Sequence, residues 1–157
     1  MTLPISTEQI DRVQKCLDGE ASLSSLKSSE ELHYLAEHWN WDNGVKTLSE
    51  IISRPDCSLG TALLIFWRGL PTEIFYSCAN KKDAKKIHEE PMFDLLIKIE
   101  KSVTKNHYKD GQISFNPSND DGTNWAEDRD NTKLKHPIPD IMTKPAEGLR
   151  SNKKILF

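Results

Sequence analysis

The architecture turns on one stretch, Ser58-Leu59-Gly60-Thr61-Ala62-Leu63-Leu64-Ile65-Phe66-Trp67. From Leu59 onward it is apolar on nearly every side, and a helix with no polar face belongs at the centre of a bundle. Ser58 can cap the N-terminus of such a helix and Gly69 can close it. A short buried strand is the rival reading, because Ile65, Phe66 and Trp67 would suit one. The lead-in Gly60-Thr61-Ala62 and the closing Gly69 favour the helix.

Working outward, helical periodicity recurs on both sides. Ser6 and Gln9 have capping-box spacing, Ile10, Val13 and Leu17 follow on one face, and Gly19 stops that helix. Ser28 or Ser29 opens a second, carrying Leu32, Leu35, Ala36 and Trp39. It should end in the turn-rich run Trp39-Asn40-Trp41-Asp42-Asn43-Gly44. Val45, Leu48, Ile51 and Ile52 form the stripe of a third, which Pro55 ends. Pro71 can open a short helix through Tyr76, Lys81–Lys86 is a charged surface segment, and Pro91 starts a final helix with Met92, Leu95, Leu96, Ile99 and Val103 in register. The expected fold is mainly α: five to seven helices in a compact helical bundle.

The pattern changes near residue 106. Residues 107–157 hold only 14 of the hydrophobic residues, scattered, and four of the eight prolines. Gln112–Phe115 alternates as a short strand would, and Trp125, Ile138, Ile141 and Met142 are candidate anchors. A disordered tail would rarely keep such anchors. The expected organisation is a helical body over 1–106 and an irregular extension over 107–157 strapped across it, one domain in all, with at most a minor β element.

Composition narrows the function. The chain has 157 residues, 36% hydrophobic and 29% charged, and a net charge of −3. That balance argues against a general nucleic-acid binder. No apolar run approaches a membrane span, and Met1–Ser6 lacks the basic and apolar blocks of a signal peptide, so a cytoplasmic location is expected. Three cysteines make no disulfide framework and have no Cys-x-x-Cys spacing. His33 and His38 lie about 140° apart on a helix and cannot share a metal; both read as surface or core-edge histidines. Cys57 precedes a helix N-terminus, which can lower a thiol pKa, although a small buried hydrophobe is the plainer reading. Residues 117–128 imitate a calcium loop at Asn119, Asp121 and Gly122, but Pro117 stands where the first ligand belongs. Gly-x-Gly and Gly-x-Ser-x-Gly are both absent. No catalytic residue, metal or cofactor is implied.

One segment stands apart. Asp120, Asp121, Glu127, Asp128 and Asp130, offset only by Arg129, surround Trp125. An aromatic anchor ringed by carboxylates attracts a basic protein surface and repels nucleic acid. Folded inward, the same tryptophan would leave only a solvated loop.

Two motifs carry a resemblance. Asn40-Trp41-Asp42-Asn43-Gly44 is followed, after a short helix, by Cys57-Ser58-Leu59-Gly60-Thr61-Ala62-Leu63. Together they resemble the bacterial family catalogued as domain of unknown function 4274, over residues 30–78. Pro137-x-Pro139 and Pro145-x-x-Gly148 fit the same pattern. The resemblance implies bacterial origin and a small helical domain, and it implies no assigned reaction. The residues themselves read as structural first: Gly44 for a turn, Gly60 and Ala62 for close helix contact, and Trp39, Trp41 and Trp67 sharing the core.

The leading functional expectation is a protein-binding module: an immunity protein that neutralises a bacterial toxin, such as a basic nuclease, through Asp120, Asp121, Trp125, Glu127, Asp128 and Asp130. The alternative is a small enzyme or ligand-binding domain at Asp42, Asn43 and Arg68, with Asp42 as base and Arg68 holding an anion. A structural subunit is a third reading.

Overall fold

The computed structural model describes residues 1–157 and contains seven α-helices. They are α1 (Thr7–Leu17), α2 (Ser29–His38), α3 (Lys46–Ser53), α4 (Leu59–Arg68), α5 (Pro71–Ser77), α6 (Lys81–Lys86) and α7 (Glu90–Thr104). Capping fixes where several begin. Ser6 and Gln9 form a reciprocal box at α1, and Ser28, Ser58 and Asn80 each accept a backbone N–H at the start of α2, α4 and α6. No helix is long and apolar enough to cross a membrane.

Helix α4 is the hub. Every residue from Gly60 to Trp67 is buried, and the helix packs against α2, α3, α5 and α7. A single apolar cluster surrounds it, to which all seven helices except α6 contribute two or more buried or half-buried side chains. Trp67 is 1% exposed, and its indole N–H donates to the Met142 carbonyl at 2.8 Å. Burying a side chain of that size is worth about 3 kcal/mol only when the N–H finds such an acceptor. Trp39 and Trp41 do not join it in the interior. Both lie half-buried against the core, and the Trp39 indole donates to the Gly44 carbonyl of its own turn. That turn needs Gly44, whose φ is +84°.

Residues 107–157 wrap the helices as an irregular strap. Ile113, Phe115, Ile138, Met142 and Ala146 insert into the common core. The backbone N–H groups of Lys135 and His136 both donate to the Phe75 carbonyl, and Tyr108 donates its hydroxyl to the Ile52 carbonyl. The alternation at 112–116 makes no sheet. Ile113 bridges Leu149 and Phe115 bridges Ala146, each as an isolated pair. The strap also ties down the N-terminus, where Leu3 N–H donates to Arg150 O at 2.7 Å.

Gly60 has a different role from the one its sequence neighbours suggest. It faces the strap, not a helix: a Cβ at this position would overlap the Ile113 backbone carbonyl. That atom cannot swing aside as a flexible side chain would. Gly60→Ala is therefore expected to cost about 2 kcal/mol or more through overpacking, read as a lowered urea midpoint with loss of strap protection in hydrogen exchange. Unchanged stability would show that the strap does not sit this close to α4.

Candidate functional site

The turn Asn119–Gly122 bends the strap back onto the end of α4. Asp120 and Thr123 exchange backbone hydrogen bonds across it, with Asp121 at φ +50° and Gly122 at φ +91°. This aims the Asp120 carboxylate at Arg68, the last residue of α4. Arg68 Nε reaches Oδ2 and Nη2 reaches Oδ1, both at 2.9 Å, a planar two-point contact. Arg68 Nη1 also donates to the Glu37 carbonyl of α2 at 3.1 Å. Trp125 Nε1 donates to Asp120 Oδ2 at 2.9 Å. Burial opposes ionisation of Asp120, but the Arg68 and Trp125 hydrogen bonds outweigh it and hold the carboxyl below its usual range.

The residues singled out in the sequence therefore part company. Asp120 and Arg68, assigned to two rival sites, are partners. Asp42 and Asn43 stand exposed on their turn, and none of the four principal cavities includes them. The arrangement with Asp42 as base beside Arg68 is not formed. Asp121 is exposed and lies 3.2 Å from Lys153 Nζ. Glu127 is exposed. Asp128 and Asp130 stay with Trp125 and line a groove of about 430 Å³ between α5 and the strap. Trp67, Leu70, Pro71, Tyr76 and Leu134 form its apolar wall, and Glu73 adds a third carboxylate against the single cation Lys133. Leu70 and Tyr76 are 40% and 62% exposed there.

Asp120 also lines a second, polar cleft of about 390 Å³ between α2, α4 and the strap. His33 and Glu37, four residues apart on α2, share its wall. His33 is only 2% exposed, which corrects its reading as a surface or core-edge residue. Its Nδ1 pairs with Thr61 Oγ1 at 2.9 Å, and Thr61 Oγ1 with Ser58 Oγ at 3.0 Å. Burial pushes the imidazole pKa down to about 4, against the pull of Glu37. The Glu37 carboxylate accepts from Ser151 Oγ at 2.8 Å and Lys153 Nζ at 3.0 Å. Burial disfavours its charge, yet His33, Ser151 and Lys153 together hold its pKa below the ordinary value. His33 contributes only when protonated, so near neutral pH Ser151 and Lys153 do this. Lys153, losing hydration but gaining Glu37 and Asp121, is held above its usual range.

Other candidates form no site. Cys57 is 2% exposed and burial pushes its thiol up to about 12, so the helix N-terminus does not activate it. No group of three or more His, Cys, Asp or Glu side chains is placed to hold a metal ion.

Residues 27–104 match the family model described as Domain of unknown function (DUF4274). That segment belongs to this family. The DUF4274 segment spans α2 to α7, beyond the two motifs that announce it, and stops before the strap. Pro137–Pro139 and Pro145–Gly148 lie outside it. No curated protein and no solved structure matches the chain. His33, Glu37 and Arg68 come from within the DUF4274 segment, whereas Asp120, Trp125, Ser151 and Lys153 come from the strap.

The buried histidine has a measurable consequence. Between pH about 6.5 and about 4 the unfolded chain binds a proton at His33 that the folded chain refuses. Stability is therefore full above that window and falls as pH drops through it, with the depressed carboxyls of Glu37 and Asp120 lost at still lower pH. Urea unfolding as a function of pH should show this slope, and His33→Gln should flatten it. An equal slope in the variant would contradict the assignment.

Proposed function

We propose that the chain is a protein-binding module whose Trp125 groove receives a basic protein, and that this partner is a toxin the chain neutralises as an immunity protein. The observation that carries the reading is the groove's composition. It sets Trp125 and the exposed Tyr76 and Leu70 beside Glu73, Asp128 and Asp130, with Lys133 as the only positive side chain in the lining. The Trp125 N–H is already bonded to Asp120, so its ring offers apolar and π surface. An aromatic anchor inside a charged rim is the composition of a binding hot spot. Carboxylates at the rim speed association with a cationic surface.

This reading moves the contact from the whole acidic segment to part of it. Asp120 is committed inward to Arg68, and Asp121 to Lys153. Asp128 and Asp130 remain as the groove's contacts, with Glu127 exposed beside them in the chain. Basic nucleases are the toxin class whose charge complements this rim. In this reading the chain acts in the bacterial cytoplasm and needs no cofactor.

The test is calorimetric titration of the chain with the purified toxin encoded beside its gene. The reading expects a Kd below about 1 μM. Replacing Asp128 and Asp130 with lysine should slow association at least about tenfold at low salt, and Tyr76→Ala should speed dissociation. Absence of binding, or binding indifferent to all three changes, would overturn it.

A further inference from the structure

The polar cleft is separate in chemistry from the Trp125 groove, and one of its features is left open by the fold. His33 is almost wholly enclosed, and its Nδ1 is fixed by Thr61 and, through it, by Ser58. Its Nε2 has no hydrogen bond: Glu37 Oε2 is 3.8 Å away, beyond bonding range. The small surface that the ring keeps lies in the wall of the cleft, and an imidazole nitrogen with no hydrogen bond there is an offer to a ligand. The Ser58–Thr61 part of the family motif thus orients a histidine rather than only capping a helix.

The charges in the cleft sort into two groups. Asp120 is paired with Arg68, and Lys153 bridges Glu37 and Asp121. Glu147 and Arg150, of opposite sign and both exposed, also line the cleft and form no ion pair. Both sit on backbone that is held in place. Glu147 N–H donates to Asp110 Oδ1, Gly148 between them packs against the Gln112 backbone, and Arg150 O accepts from Leu3. A purely anionic ligand would meet Glu37, Asp121 and Glu147, and a purely cationic one would meet Arg150 and Lys153. The matching ligand carries one charge of each sign. A volume of about 390 Å³ lies in the range of small-molecule sites.

We infer that this cleft binds a small zwitterion of the amino-acid class, its carboxylate on Arg150, its ammonium on Glu147, and a hydrogen-bonding group against Nε2 of His33. The cleft shares no lining residue with the groove, and the inference does not rest on a protein bound there.

The full-length chain, labelled at its histidine ring nitrogens, would be titrated with each proteinogenic L-amino acid while the His33 resonances are followed by NMR. Any that binds would be tested again as its N-acetyl and its amide derivative. The inference expects at least one free amino acid to shift the His33 signals with a Kd below about 1 mM. Blocking either end, or introducing Arg150→Ala or Glu147→Gln, should weaken it at least about tenfold. Both positions are exposed, so an unchanged tryptophan emission spectrum confirms that each variant is folded. If no amino acid moves the His33 signals, or if blocked ligands and both variants bind equally well, the inference is wrong.

Discussion

The ion pair between Arg68 and Asp120 is the contact on which the arrangement of this molecule depends. A guanidinium at the end of the central helix carries a positive charge where the helix dipole favours one. It is only 21% exposed and so requires compensation, which the bidentate Asp120 carboxylate supplies from 52 residues away. The same carboxylate accepts the indole N–H of Trp125, and the same guanidinium donates to the end of α2. Helix α4, helix α2 and the strap thus meet at one charged junction. Removing Arg68 would leave the Asp120 carboxylate buried without its cation, and removing Asp120 would leave Arg68 only the exposed Asp121 at 3.9 Å, so either loss costs more than the pair contributes when whole.

That junction also explains why the two cavities exist where they do. Asp120 lines the polar cleft, and Trp125, bonded to it, lines the apolar groove. The DUF4274 helices provide the inner walls and the strap provides the outer ones. The helical segment without the strap would expose the Gly60 face of α4 and the indole of Trp67. Neither cavity would close.

Much of the helical body was legible because its signals are local. Ser6 with Gln9, Ser58 before the apolar run, Pro71 at a helix start and the stripe of Met92 to Val103 each act within one or two turns, so spacing alone reveals them. The acidic turn was legible too, but only as composition. What composition could not convey is that Asp120 points inward while Asp128 and Asp130 line a groove, because that choice is made by Arg68 far away in the chain. The fates of the three tryptophans differ for the same reason. Trp67 has a distant carbonyl for its N–H, whereas Trp39 has only its own turn. His33 was missed although a signal existed: His33 and Glu37 share a helix face at four-residue spacing, beside the buried Leu32 and Leu35. Its pairing with Thr61 is a tertiary contact with no counterpart in sequence. The strap resisted reading most, since isolated bridges and single inserted side chains leave no period.

Energetic coupling between Arg68 and Asp120 is what ties the strap to the end of α4. A double-mutant cycle with Arg68→Met and Asp120→Asn, followed by urea unfolding, measures this directly. Each single variant should lose stability, and the double variant should lose less than their sum by about 2 kcal/mol, since the second change removes the charge that the first left unpaired. Additive losses within about 0.5 kcal/mol would mean that the two groups are neighbours without interdependence. In that case the strap is held by its apolar anchors and its other hydrogen bonds.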